Sequence, residues 1–212
     1  PRKLPFWIFL LVFAGVGLLT WKRPDILRPR MVIWLVFVGA VMATWESAWE
    51  YRHANEFFLL LDGDYKEYFL PAVNHYSSGE SEILRGRSFL YPHFVSLVWQ
   101  HIDSSFEAVT RVQFVVNMIG GFFVSLAVLL AGRKLFRLPL WLTCFSAWAA
   151  LALYWFCPAL TLIEVSFRPE VLTYCSQGVL TFLFVLAIVC WRHSTLVPAL
   201  TATAAFAAIC TF

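Results

Sequence analysis

The sequence predicts an all-α, polytopic transmembrane helical bundle of about six spans, with a large outer loop carrying short interfacial helices. Three observations predict it. The 212 residues are 60% hydrophobic and only 14% charged, where a soluble domain has about 45–50% apolar and about 25% charged residues. The apolar residues gather into runs that approach the roughly 20 residues needed to cross a hydrocarbon core about 30 Å thick. Ten Trp, seven Tyr and 21 Phe suit amphipathic rings anchored at a bilayer interface. A water-soluble globule is excluded. The net charge of +3 comes from basic residues dispersed among loops, so a nucleic-acid partner is excluded as well.

The runs are Phe6–Trp21, Met31–Trp45, Phe106–Ala131, Leu138–Leu160, Val171–Trp191 and Leu196–Phe212. The first follows Arg2 and Lys3, but no small-residue cleavage site follows it, so it reads as a span rather than a signal peptide. The last reaches Phe212 without a cap or basic flank, and the chain is expected to continue beyond it. No repeat and no Gly/Ser-rich or Pro-rich linker divides residues 1–212, which are read as a single transmembrane domain. The five cysteines, Cys144, Cys157, Cys175, Cys190 and Cys210, lie in or beside apolar runs without CxxC or Cys/His spacing. They are expected to be buried thiols.

Orientation follows from the short loops. Lys22, Arg23, Arg28 and Arg30 lie in one, Arg133, Lys134 and Arg137 in a second, and Arg192 in a third. These loops are expected to face the cytoplasm. The alternate segments are acidic: Glu46–Ser105 holds nine Asp or Glu against four Lys or Arg, and Pro158–Glu170 holds Glu164, Arg168 and Glu170. They are expected to face a periplasm or a lumen.

Most ionisable groups fall in residues 46–105, so the chemistry is sought there. Tyr65, Phe69, Ala72 or Val73, and Tyr76 recur at helical spacing, which predicts a short helix lying with one apolar face on the membrane surface. Pro71 is expected to break or kink it unless the carbonyl it frees finds a partner. Asp62 and Asp64 stand at the start of that helix, where the dipole keeps a carboxylate ionised and fit to act as a general base. Two other readings stand beside this one. Asp64 serves equally as an N-cap with Asp62 a solvated loop charge, and Asp-Gly-Asp offers oxygen ligands to a divalent metal, without a third carboxylate at obvious spacing. The metal is not favoured. His75, His93 and His101 lack metal-ligand spacing, so a zinc site is not expected.

The order of features resembles the GT-C superfamily of integral-membrane glycosyltransferases, in the branch of the lipid A aminoarabinose transferases and the dolichyl-phosphate-mannose protein mannosyltransferases. In that branch an Asp opens the first outer loop, a Tyr follows four residues on, and a Gly ends the short helix about fifteen residues after the Asp. Asp64, Tyr68 and Gly79 match. The aromatic, Pro-containing segment from Phe89 to Trp99 is similar to the one that leads into the next span, although Tyr91 stands where relatives often carry Lys. Phe106-Glu107-Ala108-Val109-Thr110-Arg111 and Arg168-Pro169-Glu170 resemble later motifs.

The resemblance covers roughly residues 62 to 180. It implies transfer of a sugar from a polyprenyl-phosphate-linked donor to a glycan, lipid or protein acceptor at the outer leaflet of a bacterial inner membrane or endoplasmic reticulum, with inversion. Such a displacement needs a base and cations for the departing phosphate. Asp64 is the expected base, with Asp62 second. Lys66, Arg85, Arg87, His93 and Arg168 are the expected phosphate contacts, with Tyr68 and Glu170 beside them on the substrate. Each has a plainer alternative: Arg85 and Arg87 as solvated charges, and Arg168 paired with Glu164 or Glu170, or snorkelling to headgroups. Glu107 and Arg111 are spaced for an i,i+4 pair, and Gly120-Gly121 for close helix contact.

The rival classes are a polytopic transporter and a non-catalytic membrane subunit. A transporter calls for ionisable groups near span centres or broken half-helices. Only Gly120-Gly121 and Pro158 hint at either.

Overall fold

The computed structural model describes residues 29–54, 65–79, 90–166 and 168–190. Every regular element among the described residues is a helix: α1 (Pro29–Ala54), α2 (Tyr65–Ser78), α3 (Leu90–His101), α4 (Phe106–Lys134), α5 (Leu140–Trp155), α6 (Pro158–Glu164) and α7 (Glu170–Cys190). Three of them contain stretches long and apolar enough to cross a membrane: Arg30–Tyr51, Phe106–Lys134 and Glu170–Cys190. The expected runs Phe6–Trp21 and Leu196–Phe212 lie outside the described residues.

The expected continuous span Leu138–Leu160 is corrected. Helix α5 stops at Trp155, and α6 restarts at Pro158 bent by 51°. Cys157 occupies the N-cap position of α6 and Pro158 its first turn. Proline has no N–H to continue the α5 ladder and a φ already set for a first helical turn, so it ends one helix and opens the next. Together the pair makes at most one further, broken span.

Helix α4 is the mast of the bundle. It packs along α7 and α5, touches α3 and α6, and α1 packs on α5. In lipid the apolar effect does not separate helix from solvent, so small residues and interhelical hydrogen bonds must hold such a bundle. Both are present. A Cβ on Gly178 would collide with the Gly120 backbone, one on Gly120 would fall 2.9 Å from the Cys175 Cα, and one on Gly121 2.6 Å from Trp155 Nε1. The expected close contact at Gly120-Gly121 is thus found, against both α7 and α5. Trp148 Nε1 donates to Thr44 Oγ1 at 2.9 Å, tying α5 to α1. Trp155 Nε1 donates to Met118 O at 3.1 Å and Ser125 Oγ to Ala147 O at 2.8 Å, tying α5 to α4. The α4–α5 turn is closed by Arg133 Nη1 donating to Leu138 O at 2.8 Å, with Arg137 at φ 54°.

Helix α2 runs through Pro71 and ends at Ser78, with Gly79 at φ 74°. Gly79 N donates to His75 O at 3.0 Å, the left-handed glycine closing the helix. The expected break at Pro71 does not occur, because the residues around it are packed: Tyr68 and Ala72 are buried, and Phe69 and Val73 join the same cluster. The apolar face of α2, expected on the membrane surface, rests on α3 and the first turns of α4. Of the four named thiols in the described residues, Cys144 is buried and Cys157, Cys175 and Cys190 are half-buried; Cys210 lies outside.

Candidate functional site

Helices α4 and α7 start at the same end of the molecule, because α5 and α6 return the chain to it. There one apolar cluster joins five helices: Tyr68 and Ala72 of α2, Tyr91, Val95 and Trp99 of α3, Ala108 and Val109 of α4, Ile163 of α6 and Val171 of α7. Tyr68 stands edge-on to Tyr91 at 5.5 Å between ring centres, and Phe69 edge-on to Trp99 at 6.1 Å. Tyr68, expected at the substrate, is 5% exposed with its ring packed in this cluster.

A polar seam runs inward from this cluster. The Tyr91 hydroxyl donates to Gln113 Oε1. Gln113 Nε2 donates to Glu164 O at 2.7 Å and Ser166 O at 3.0 Å. One fully buried amide so connects the aromatic segment of α3 to the turn that carries Arg168. One helical turn on, Asn117 Nδ2 donates to Glu164 Oε1. Glu164, expected in a solvent-facing loop, is 2% exposed. The bend before α6 swings it onto α4, where two amides receive it.

Arg168 and Glu170 open α7 as expected and pair at 3.7 Å, with side chains 38% and 41% exposed. The pairing with Glu170 that the spacing offered Arg168 is thus present. The Glu107–Arg111 pair is present on the exposed face of α4, and Lys66 is exposed in the first turn of α2. Asp62, Asp64, Arg85 and Arg87 lie outside the described residues; α2 begins at Tyr65, the residue after Asp64.

Two features escaped the sequence. His93 Nδ1 and His75 Nε2 share a hydrogen bond of 2.6 Å between α3 and α2. One ring donates and the other accepts, so the accepting nitrogen carries no proton. His93 also lines an apolar cleft of about 310 Å³ with Leu90, Phe94, Val116, Leu172 and Ser176. Eighteen residues separate the two histidines, and only the α2–α3 packing joins them. The second feature is the seam itself, for which a signal was present: Gln113 and Asn117 are spaced i,i+4 on one face of an otherwise apolar run. Among the described residues no group of three or more His, Cys, Asp or Glu is placed to hold a metal ion.

No protein-family model, curated protein or solved structure matches the chain.

Proposed function

We propose that the chain is a GT-C-type membrane glycosyltransferase that moves a sugar from a polyprenyl-phosphate-linked donor to an acceptor at the outer face of the membrane. One observation carries the reading beyond the resemblance. Segments that resemble the family, far apart along the chain, meet at one end of the bundle: Tyr68, Tyr91 and the first turns of α4 pack in one cluster with Val171, and Gln113 bonds the Glu164–Ser166 turn, the two sides of Arg168-Pro169-Glu170. The same end carries exposed Lys66, part-exposed Arg168 and the His75–His93 pair, cations or potential cations suited to a lipid phosphate. Asp64 is the proposed base, Asp62 the second carboxylate, and Arg85 and Arg87 further phosphate contacts.

The test is transfer of labelled sugar from a panel of polyprenyl-phosphate-sugars by the purified full-length protein. Asp64→Asn is expected to abolish turnover while leaving thermal unfolding unchanged, and Asp62→Asn to cost less, because loss of a base removes rate and not packing. Consumption of no donor, or full activity in D64N, overturns the assignment.

A polytopic transporter is the second reading, favoured by the bent α5–α6 pair and the buried Glu164 beside it. Broken helices and intramembrane carboxylates mark solute paths. Uptake of a solute by reconstituted vesicles, with no sugar transfer, would select it.

A further inference from the structure

The cleft beside His93 lies where three helices meet, lined by Leu90, His93 and Leu97 of α3, Val116 of α4, and Leu172 and Ser176 of α7. Its volume of about 310 Å³ reaches the range of ligand sites, about 300–1,000 Å³. Leu97 is 40% exposed, so the cleft opens on the outside of the bundle. Val116 stands five residues beyond Arg111 on α4, and Ser176 six beyond Glu170 on α7, about 7.5 and 9 Å along the two axes. Both helices are long and apolar enough to cross a membrane. Across a bilayer the cleft therefore opens to lipid in the headgroup-side part of one leaflet.

The polar lining decides what enters. A hydrocarbon chain gains little by leaving lipid tails for an apolar cleft, since tails are as apolar as Leu. Ser176 Oγ donates to Leu172 O at 2.8 Å, which spends its one proton. His93 is the basic side chain among the lining residues. Its Nδ1 shares the 2.6 Å hydrogen bond with His75 Nε2, so Nε2 is the nitrogen it can offer a ligand in the cleft. An anionic oxygen at Nε2 favours a proton there, and with Nδ1–H donating to His75 the His93 ring then donates from both nitrogens. His75, whatever else it touches, orients that ring in the way a second partner orients a ligating histidine.

We propose that this cleft is a lipid site: it seats one acyl chain of an anionic phospholipid of the surrounding bilayer, with a phosphate oxygen accepting from His93 Nε2. From Leu90 to Leu97 the α3 wall covers seven residues, about 10 Å, less than the roughly 15 Å depth of one leaflet. The cleft thus holds the part of the chain next to the headgroup, and the rest stays among other lipids. The inference rests on the lipid-phosphate chemistry proposed for the His75–His93 pair and is independent of sugar transfer.

Native mass spectrometry of the purified full-length protein tests it, with the delipidated protein in detergent titrated by phosphatidylglycerol or by phosphatidylcholine of the same acyl chains. Wild type is expected to hold one phosphatidylglycerol about tenfold more tightly than phosphatidylcholine, the factor that a charge-assisted hydrogen bond supplies. His93→Leu is expected to abolish that preference, and Ser176→Phe, which fills the cleft, to lose the tight lipid. Should S176F not fold, Leu97→Trp narrows the same cleft from an exposed position. His75→Ala is expected to lower the preference with phosphatidylcholine binding unchanged, and His75→Gln, whose amide can accept from Nδ1, to keep it. Equal affinity of wild type for the two lipids, an unchanged preference in H93L, displacement of the bound lipid by inorganic phosphate, or tighter binding of a polyprenyl phosphate than of phosphatidylglycerol overturns the proposal.

Discussion

Gln113 shows how much one side chain can hold. It is fully buried, and its three hydrogen bonds reach Tyr91 on α3 and two carbonyls at the α6–α7 turn. Gln113→Leu removes all three of these bonds at once, in a place where a buried hydrogen bond lost costs about 1–3 kcal/mol. Tyr91→Phe removes one hydroxyl and strands one acceptor. Thermal unfolding in detergent is therefore expected to rank wild type above Y91F and Y91F above Q113L. The reverse order would mean that Gln113 is a bystander to the packing around it. At this scale the sequence was partly legible. The Glu107–Arg111 pair and the Arg168–Glu170 pair follow from spacing of three to four residues or fewer, which local geometry enforces. The Tyr91–Gln113 and Asn117–Glu164 bonds span 22 and 47 residues, and nothing local announces them.

Among the elements, α4 and α7 meet where glycine allows backbones to touch. Gly178→Ala sets a methyl group against the Gly120 backbone, which cannot yield as a flexible side chain would. Its unfolding midpoint is expected to fall well below that of wild type. Gly39 on α1 is the control, since nothing lies within 4 Å of a Cβ built there. Gly39→Ala is expected to be neutral, or to raise stability by about 0.5–1 kcal/mol through helix propensity. Equal loss in both variants would remove the close approach as the cause. Helix existence was legible from apolar periodicity, and Gly79 announced the end of α2. The fate of Pro71 and Pro158 was not. Both lie in apolar surroundings in the sequence, yet α2 runs through one and the chain bends sharply at the other. What decides is tertiary: α3 packs over the helix at Pro71, while at Pro158 the amides of α4 hold the end of the redirected helix through Glu164.

At the scale of the whole molecule, every regular element among the described residues is a helix, and three of these helices are long and apolar enough to cross a membrane. Sidedness is tested by labelling single cysteines with a membrane-impermeant reagent on intact vesicles of known orientation. Cysteine at Ser104, before α4, and at Phe136, after it, are expected to react from opposite sides, with Phe136 on the cytoplasmic side by its basic neighbours. Reaction of both from one side would mean that α4 does not cross. The gathering of the resembling segments at one end could not be read from their order along the chain, because it depends on α5 and α6 together bringing the chain back to where α4 began.

The uncharged stretch of α4, residues 112–132, is 21 residues long, about 32 Å of helix. That nearly equals an average hydrocarbon thickness, with Arg111 at one edge and Arg133 and Lys134 at the other. Placed across a bilayer, a helix of this length is expected to act as a gauge of acyl-chain length. In a bilayer of short tails the headgroup plane slides down toward the turn that carries Asn117, and water comes with it. In long-tailed lipid the same helix stays upright and the turn stays dry. Across a bilayer, the length of the lipid tails is thus expected to set how wet the inner end of the polar seam becomes, with no change to the protein itself.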